Sequence, residues 1–242
     1  TCTRRFRFCS VKTGLPRELD WSEPRKVAVA VEEMQLQHVV ITMVNRDELP
    51  DGGSQMMANT VRAIKKLSPL TSVEVLSSDM MGNPDSIAVL MEAKAEIMSH
   101  NLETVQRLTP LVRSRSTYQR SLDFLRIAGE LDPAAAIKSS VMVGLGETVE
   151  ELHQAMDDLL ANGVRMMNIG QYLQPTRVQL PVQKYYHPDE FAELREAAIA
   201  KGFAQVHSGP LVRSSYHAGE NYSAYRQAIH PLAQDPELRH HM

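Results

Sequence analysis

Short apolar runs rich in β-branched residues alternate with stretches of helical period along most of the chain. Runs of roughly four to eight such residues, bounded by turn-forming residues, are typical of buried strands. Strands are predicted at 38–44, 72–76, 96–99, 137–143, 166–172 and 203–207. Helices are predicted at 23–35, 53–67, 84–93, 118–131, 148–162 and 188–201. The pattern therefore predicts about six strand–helix units in succession.

The connections between these segments indicate how the strands are arranged. Short strand-to-helix connections favour parallel strands joined by right-handed crossovers. Six units are too few for a complete eight-stranded barrel. No G-x-G-x-x-G segment follows the first strand, as a dinucleotide-binding fold would require. We predict an α/β fold, a partial (βα)6 open TIM-like barrel spanning residues 1–220, followed by a C-terminal tail at residues 221–242.

Composition and charge narrow the functional classes. The chain is 43% hydrophobic and 23% charged, with a formal net charge of -3. These values are typical of a globular protein and predict no general attraction to nucleic acid. The apolar runs are too short to cross a membrane, so no membrane association is expected. Because the sequence starts at Thr1 instead of Met, we expect that N-terminal residues precede it, including any targeting segment.

The only two cysteines, Cys2 and Cys9, lie close together at the start of the chain. Three arginines, Arg4, Arg5 and Arg7, lie between them, and positive charge favours the thiolate form that binds metals. Metal binding, a redox pair and two unremarkable thiols are all compatible with this pair. A zinc half-site fits poorly, because zinc sites use four ligands at shorter cysteine spacings.

Polar residues are concentrated where the predicted strands end. The segments are 45–53, 100–104, 138–148, 171–177 and 208–216. Singly, each has a structural explanation as a turn or a helix cap. Because the carboxyl ends of parallel strands meet at one edge of a barrel, the five together predict a polar ligand site.

Particular side chains of these segments, together with Arg113 outside them, suit particular ligand groups. Asn101 and Glu103 are candidates for binding an amino group or ribose hydroxyls. Lys138, Arg113 and Arg177 are candidates for pairing with carboxylates.

Several sequence segments together resemble the lipoyl synthase family of radical S-adenosylmethionine enzymes. Residues 2–12, CTRRFRFCSVK, resemble that superfamily's C-x3-C-x2-C loop. Segments typical of lipoyl synthases follow in the family's order: RFCSVKTG at 7–14, VNRDELPDGG at 44–53, HNLET at 100–104, VMVGLGET at 141–148, GQYLQPTR at 170–177 and SGPLVRSSYHAGE at 208–220. The resemblance extends through nearly the whole chain.

The resemblance implies a fold of the radical S-adenosylmethionine type and a specific reaction. Lipoyl synthases insert sulfur at carbons 6 and 8 of an octanoyl chain that is attached to a lysine of a carrier protein. The implied cofactors are two 4Fe–4S clusters, one that generates a deoxyadenosyl radical from S-adenosylmethionine and an auxiliary one that donates sulfur. The implied partners are an octanoylated lipoyl-domain or glycine-cleavage H-type protein and an electron donor such as ferredoxin or flavodoxin. The implied location is bacterial cytoplasm, or the mitochondrion or plastid of a eukaryote.

The resemblance also implies roles for individual residues. Cys2 and Cys9 match the first and third ligands of the radical-generating cluster. Ser215 matches the serine ligand of the auxiliary cluster, with Ser214 as the second choice. Asn101, Glu103, Lys138 and Arg113 are expected to bind S-adenosylmethionine or substrate.

Two features depart from the family pattern. Phe6 stands where the middle cysteine of the motif is expected, and the upstream C-x4-C-x5-C segment is not in this sequence. Both clusters are therefore expected to be incomplete in this chain, and we expect it to be an N-terminally truncated form. The alternative hypothesis is a non-catalytic homologue that binds S-adenosylmethionine or a lipoyl domain.

Overall fold

A computed structural model describes residues 1–229 and contains one sheet of six parallel strands. The strands are β1 (His38–Thr42), β2 (Ser72–Leu76), β3 (Ile97–Ser99), β4 (Ala136–Val143), β5 (Met166–Gln171) and β6 (Gln205–Gly209). They lie in the order β1-β2-β3-β4-β5-β6, and each pairs in parallel with its neighbour in sequence. The predicted partial six-stranded barrel is confirmed, and β1 and β6 are the edge strands of its sheet.

Helices connect the strands at nearly all the predicted places. They are α1 (Glu23–Glu33), α2 (Ser54–Leu67), α3 (Pro84–Met91), α4 (Thr109–Val112), α5 (Tyr118–Leu131), α6 (Val149–Ala161), α7 (Pro188–Lys201) and α8 (Ala218–Ile229). The α6 capping box is present, with the Thr148 hydroxyl accepting from the Glu151 amide and the Glu151 carboxylate accepting from the Thr148 amide. α4 was not predicted, because a single turn carries no measurable periodicity.

The last strand begins two residues later than predicted. Gly202 ends α7 in the left-handed region, with φ +116°. The Phe203 amide then bonds the Ala198 carbonyl, which is the backward bond of a glycine-terminated helix. Phe203 is buried, so its apolar character reflects packing beneath the helix end and not membership of β6.

The predicted domain boundary at residue 220 falls inside α8, which packs against the barrel. Tyr222 and Tyr225 of α8 form an apolar cluster with Ile97, Ala136 and Met166, the first residues of β3, β4 and β5. α8 therefore covers the amino ends of these strands and leaves the carboxyl ends for the candidate site. The rest of the predicted tail, residues 230–242, lies outside the described residues.

No helix in the described part of the chain combines the length and the apolar character needed to cross a membrane.

Candidate active site

The loop between the two cysteines, residues 2–9, is held over the barrel by a buried arginine. We call this segment the cysteine loop. The Arg4 guanidinium donates from Nε to Asp47 at 2.8 Å and from one terminal nitrogen to Asp79 at 2.6 Å. Burial by itself lowers the pKa of Arg4, but the bonds to Asp47 and Asp79 outweigh it and raise the pKa above its ordinary value. Arg4 therefore stays charged and anchors the loop between the cysteines.

A cavity of about 190 Å³ opens beneath the cysteine loop. Five of the seven predicted site residues line it: Cys2, Cys9, Asn101, Glu103 and Arg113. The Cys2 thiol is buried, with its Sγ 3.6 Å from an amide nitrogen of Asn45. The structure therefore brings together residues that are up to 111 positions apart in the sequence.

Phe6 occupies the central position of this loop with an aromatic ring. The ring stacks on Phe8 with centroids 5.6 Å apart, and the Arg113 guanidinium carbon lies 5.4 Å from the Phe6 ring centroid. Stacking and cation–π attraction both stabilise this placement. The Phe6 backbone also bridges to Arg113.

The donor atoms beside this cavity do not fit a cluster held by three thiolates. Cys2 and Cys9 supply two sulfurs, and Phe6 has no lone pair for iron. Within residues 1–229, no three His, Cys, Asp or Glu side chains are grouped so that they could hold a metal ion. The ligand set therefore lacks one donor.

Arg113 is held by Ser121, which in turn contacts His100. The sequence predicted no role for either residue. The Arg113 guanidinium donates to the Leu102 carbonyl at 3.1 Å and to the Ser121 hydroxyl at 2.8 Å. The Ser121 hydroxyl lies 2.9 Å from Nε2 of His100, and the Ser77 carbonyl lies 2.9 Å from Nδ1. His100 therefore donates from Nδ1 and accepts at Nε2, which is the neutral tautomer.

The buried imidazole of His100 predicts a specific loss of stability in acid. Burial, followed by the charge of Arg113, lowers the pKa of His100 from its ordinary 6.5 to about 4. Between those pH values the unfolded chain binds a proton that the folded chain does not. We expect the free energy of unfolding to fall by up to about 1.4 kcal/mol per pH unit as pH drops from 6.5 toward 4. Urea unfolding of the protein and of His100→Gln at several pH values measures this, and an equal slope for both would contradict it.

Glu103 lies in a strained backbone conformation at the edge of the cavity. Its φ is +68°, which is unusual for a residue with a side chain. The bonds from its amide to Ser140 and from the Met142 amide to its carbonyl hold it against β4. Burial raises the pKa of Glu103, although Arg113 and the hydrogen bond from Asn101 act in the opposite direction.

Asn101 and Glu103 together present acceptor atoms to the cavity. The Asn101 amide nitrogen donates to Glu103 at 3.1 Å and to the Ser214 hydroxyl at 3.2 Å. Its Oδ1 is buried and has no partner among the described residues. Buried acceptors of this kind favour a ligand that carries N–H or O–H groups.

A second cavity, of about 230 Å³, shares Phe8, Asn101 and Glu103 with the first. Ser140 of β4 also lines it, with a buried hydroxyl that lacks a partner in residues 1–229. Arg213 also lines this second cavity. The two cavities therefore form one polar region at the carboxyl ends of β1 to β5, closed by residues 212–214 that follow β6.

The other two predicted site residues lie away from these cavities. Lys138 is fully buried, and its ammonium contacts both Glu74 oxygens at 2.9 and 3.0 Å and the Ser214 carbonyl at 2.7 Å. Asn168 donates to the same carbonyl at 3.1 Å. Direct ligand binding by Lys138 stays a prediction. Its bond to the Ser214 carbonyl connects Lys138 to residues 213–216, which we call the serine segment. Ser215 is exposed beside β1 and α8.

Comparison with known proteins shows extensive similarity in sequence and fold. The Radical SAM superfamily model matches residues 1–159. The chain is 60% identical over 227 residues to a lipoyl synthase of Geobacillus kaustophilus, covering 94% of this chain and 76% of the relative. It is 61% identical over 219 residues to the lipoyl synthase of Bacillus subtilis, covering 90% and 74%.

Two solved structures show the same fold at low sequence identity. The crystal structure of methylornithine synthase (PylB) has a TM-score of 0.63 at 14% identity, covering 86% of this chain and 68% of that one. Streptococcus suis SuiB bound to S-adenosylmethionine has a TM-score of 0.65 at 11% identity, covering 93% and 52%.

Proposed function

The chain belongs to the lipoyl synthase family, and we propose that its barrel binds S-adenosylmethionine and an octanoylated carrier while Phe6 leaves the radical-generating loop one thiolate short. Lipoyl synthases are radical S-adenosylmethionine sulfurtransferases, and membership implies 4Fe–4S clusters and S-adenosylmethionine as cofactors. It also implies a lipoyl-carrier protein as substrate.

The observation that carries the proposal is the ring of Phe6 between two thiols. The stability and the reduction potential of a 4Fe–4S cluster depend on its ligands. Here a ring packed on Phe8 and Arg113 stands in place of the middle ligand. Cys2 and Cys9 are the two remaining ligands in this proposal, and Ser215 is the ligand that this chain offers to an auxiliary cluster. A ferredoxin or flavodoxin is the proposed electron donor for a form of the protein with all three thiolates.

The polar region beneath the loop is the proposed binding site for S-adenosylmethionine. Glu103 accepts hydrogen bonds from the ligand's amino group, and the free Oδ1 of Asn101 accepts from a ribose hydroxyl. Arg113 supplies the positive charge that offsets the ligand carboxylate. These roles are supported by the shared cavity, the burial of Glu103 and Arg113, and the unpartnered oxygen of Asn101.

Isothermal titration with S-adenosylmethionine tests this binding site. We expect the unmodified chain to bind, and Glu103→Gln to bind about tenfold more weakly because a charge-assisted hydrogen bond is lost. Glu130→Gln is the matched control, since Glu130 is exposed on α5 and, within residues 1–229, pairs with Arg126 alone. Equal affinity of the Glu103 and Glu130 variants would refute the assignment of Glu103.

A second candidate function is favoured by the same phenylalanine. In this view the protein is a non-catalytic homologue that binds S-adenosylmethionine or a lipoyl domain and performs no radical chemistry. Anaerobic incubation of the unmodified protein with S-adenosylmethionine and a strong reductant tests this second candidate. Deoxyadenosine above the level of a protein-free control would eliminate the non-catalytic candidate.

A further inference from the structure

Positive charge is concentrated on four segments of an otherwise acidic chain. Segments 1–17, 112–117, 172–184 and 207–216 contain ten Lys and Arg residues and no Asp or Glu. The whole chain has 26 Lys and Arg against 29 Asp and Glu. The four segments therefore carry a local excess of positive charge in a chain whose formal net charge is -3.

The four segments lie side by side around the mouth of the barrel. The Leu180 amide donates to the Arg7 carbonyl at 3.0 Å, and the Ser114 hydroxyl donates to the Arg5 carbonyl at 2.5 Å. Segments 112–117 and 172–184 therefore flank the cysteine loop. The fourth segment, 207–216, lines the second cavity together with Leu173. The cations of these segments therefore lie around the candidate active site.

Besides Arg17 and Arg213, five cations of these segments are exposed and free of ion pairs within residues 1–229. They are Arg5, Arg7, Lys12, Arg115 and Arg177. We call these five residues the basic rim. Because the cations have no intramolecular carboxylate partner, their field extends into solvent and attracts an anionic surface.

Exposed aliphatic side chains lie among the cations. The most exposed are Leu15 at 78%, Val178 at 76% and Leu211 at 73%, with Val11 and Leu173 less so. A mixed basic and aliphatic surface of this kind suits the binding of a folded protein partner, since protein interfaces combine apolar patches with a charged rim. A single-stranded nucleic acid would require several stacking aromatic side chains, whereas these four described segments strongly expose one, Tyr216.

We propose that the basic rim docks an acidic face of the carrier protein, so that the carrier's acyl-lysine enters the cavities that the rim surrounds. The inference rests on the proposed function, in which a carrier protein is the substrate. Opposite charges on the two surfaces accelerate encounter and orient the acyl-lysine toward the barrel mouth. The exposed aliphatics add contact area once the two surfaces meet.

Binding of an octanoylated glycine-cleavage H-type protein to charge-reversal variants tests the docking surface. We expect the double variant Arg7→Glu/Arg177→Glu to bind about tenfold or more weakly than the unmodified chain at low salt. Raising the salt concentration should weaken the unmodified complex and have little effect on the variant, since screening removes the same attraction. S-adenosylmethionine titration and circular dichroism check that each variant is folded.

The double variant Lys66→Glu/Arg165→Glu is the matched control. Both residues are exposed cations that lie before strands, at the end of the barrel opposite the rim, and the net change in charge is the same. Control binding within about twofold of the unmodified chain supports the proposal. Equal losses in both double variants would overturn it, as would tighter binding of a 20-nucleotide single-stranded RNA than of the carrier.

Two patterns of failure are distinguishable. If the carrier binds and the rim variants have no effect, only the docking surface is wrong. If neither an octanoylated H-type protein nor an octanoylated lipoyl domain binds the unmodified chain, the carrier part of the proposed function fails as well.

Discussion

The variant Phe6→Cys, reconstituted anaerobically with iron and sulfide, is expected to hold roughly four iron atoms per chain, whereas the unmodified protein holds far fewer. The substitution completes a C-x3-C-x2-C loop whose backbone is already fixed by Arg4 and its two carboxylates. Iron and sulfide analysis, together with the brown colour of the cluster, measures the result.

The surroundings of position 6 favour the ionised form of an introduced thiol. Arg113 lies 5.4 Å from the present ring and is itself buried. A guanidinium at this distance attracts a thiolate and lowers the pKa of the thiol. Arg113, which now lies over the Phe6 ring, would then stabilise the introduced thiolate, the form that binds iron.

The variant Phe8→Cys is the matched control for this experiment. It also gives the chain three cysteines, but the third lies next to Cys9 and outside the motif spacing. We expect it to hold no more iron than the unmodified protein. Iron binding by Phe8→Cys at the level of Phe6→Cys would show that the number of thiols, and not their position, decides assembly. A folded Phe6→Cys protein without iron would show that this loop is not a cluster site.

Deoxyadenosine is the appropriate product to follow in the iron-loaded Phe6→Cys protein. Its formation depends on the cluster of the cysteine loop and on S-adenosylmethionine, whereas sulfur insertion also needs auxiliary ligands that the cysteines of this chain do not provide. We expect deoxyadenosine to appear only in the Phe6→Cys protein.

Local sequence signals predicted the fold well because each element depends on its own residues. Apolar runs located the strands, and Thr148 with Glu151 located the start of α6. The predicted start of β6 was wrong because Phe203 is apolar for a different reason, its burial beneath the end of α7. Periodicity reports that a residue is buried, but not which neighbouring element covers it.

The candidate site was predictable only in part. The polar segments indicated the carboxyl end of the barrel, where Asn101 and Glu103 line a cavity. Contacts between distant positions had no sequence signal. Asp79, which pairs with Arg4, lies 75 residues away from it, and Glu74 lies in the apolar run of β2. The pair of Glu74 and Lys138 is set by the curvature of the sheet, which brings together side chains of strands that are not adjacent.

Removing one member of the buried Glu74–Lys138 pair is expected to reduce the free energy of unfolding by about 3–5 kcal/mol. Both side chains are fully buried, and β2 and β4 are separated by β3, so the pair crosses the barrel interior. Lys138→Met leaves a carboxylate without its cation in a site that excludes water. Urea unfolding of Lys138→Met and Glu74→Gln measures the loss.

The double variant Glu74→Leu/Lys138→Met should be more stable than Lys138→Met, because no buried charge remains unpaired. The exposed Arg126–Glu130 pair supplies the control, and Glu130→Gln should change stability by less than about 1 kcal/mol.

The Lys138 ammonium also bonds the Ser214 carbonyl. Lys138→Met should therefore speed hydrogen exchange at the Tyr216 amide, which donates to the Arg213 carbonyl in the same turn. Unchanged exchange there, in a destabilised but folded variant, would mean that the pair supports the barrel without positioning the serine segment.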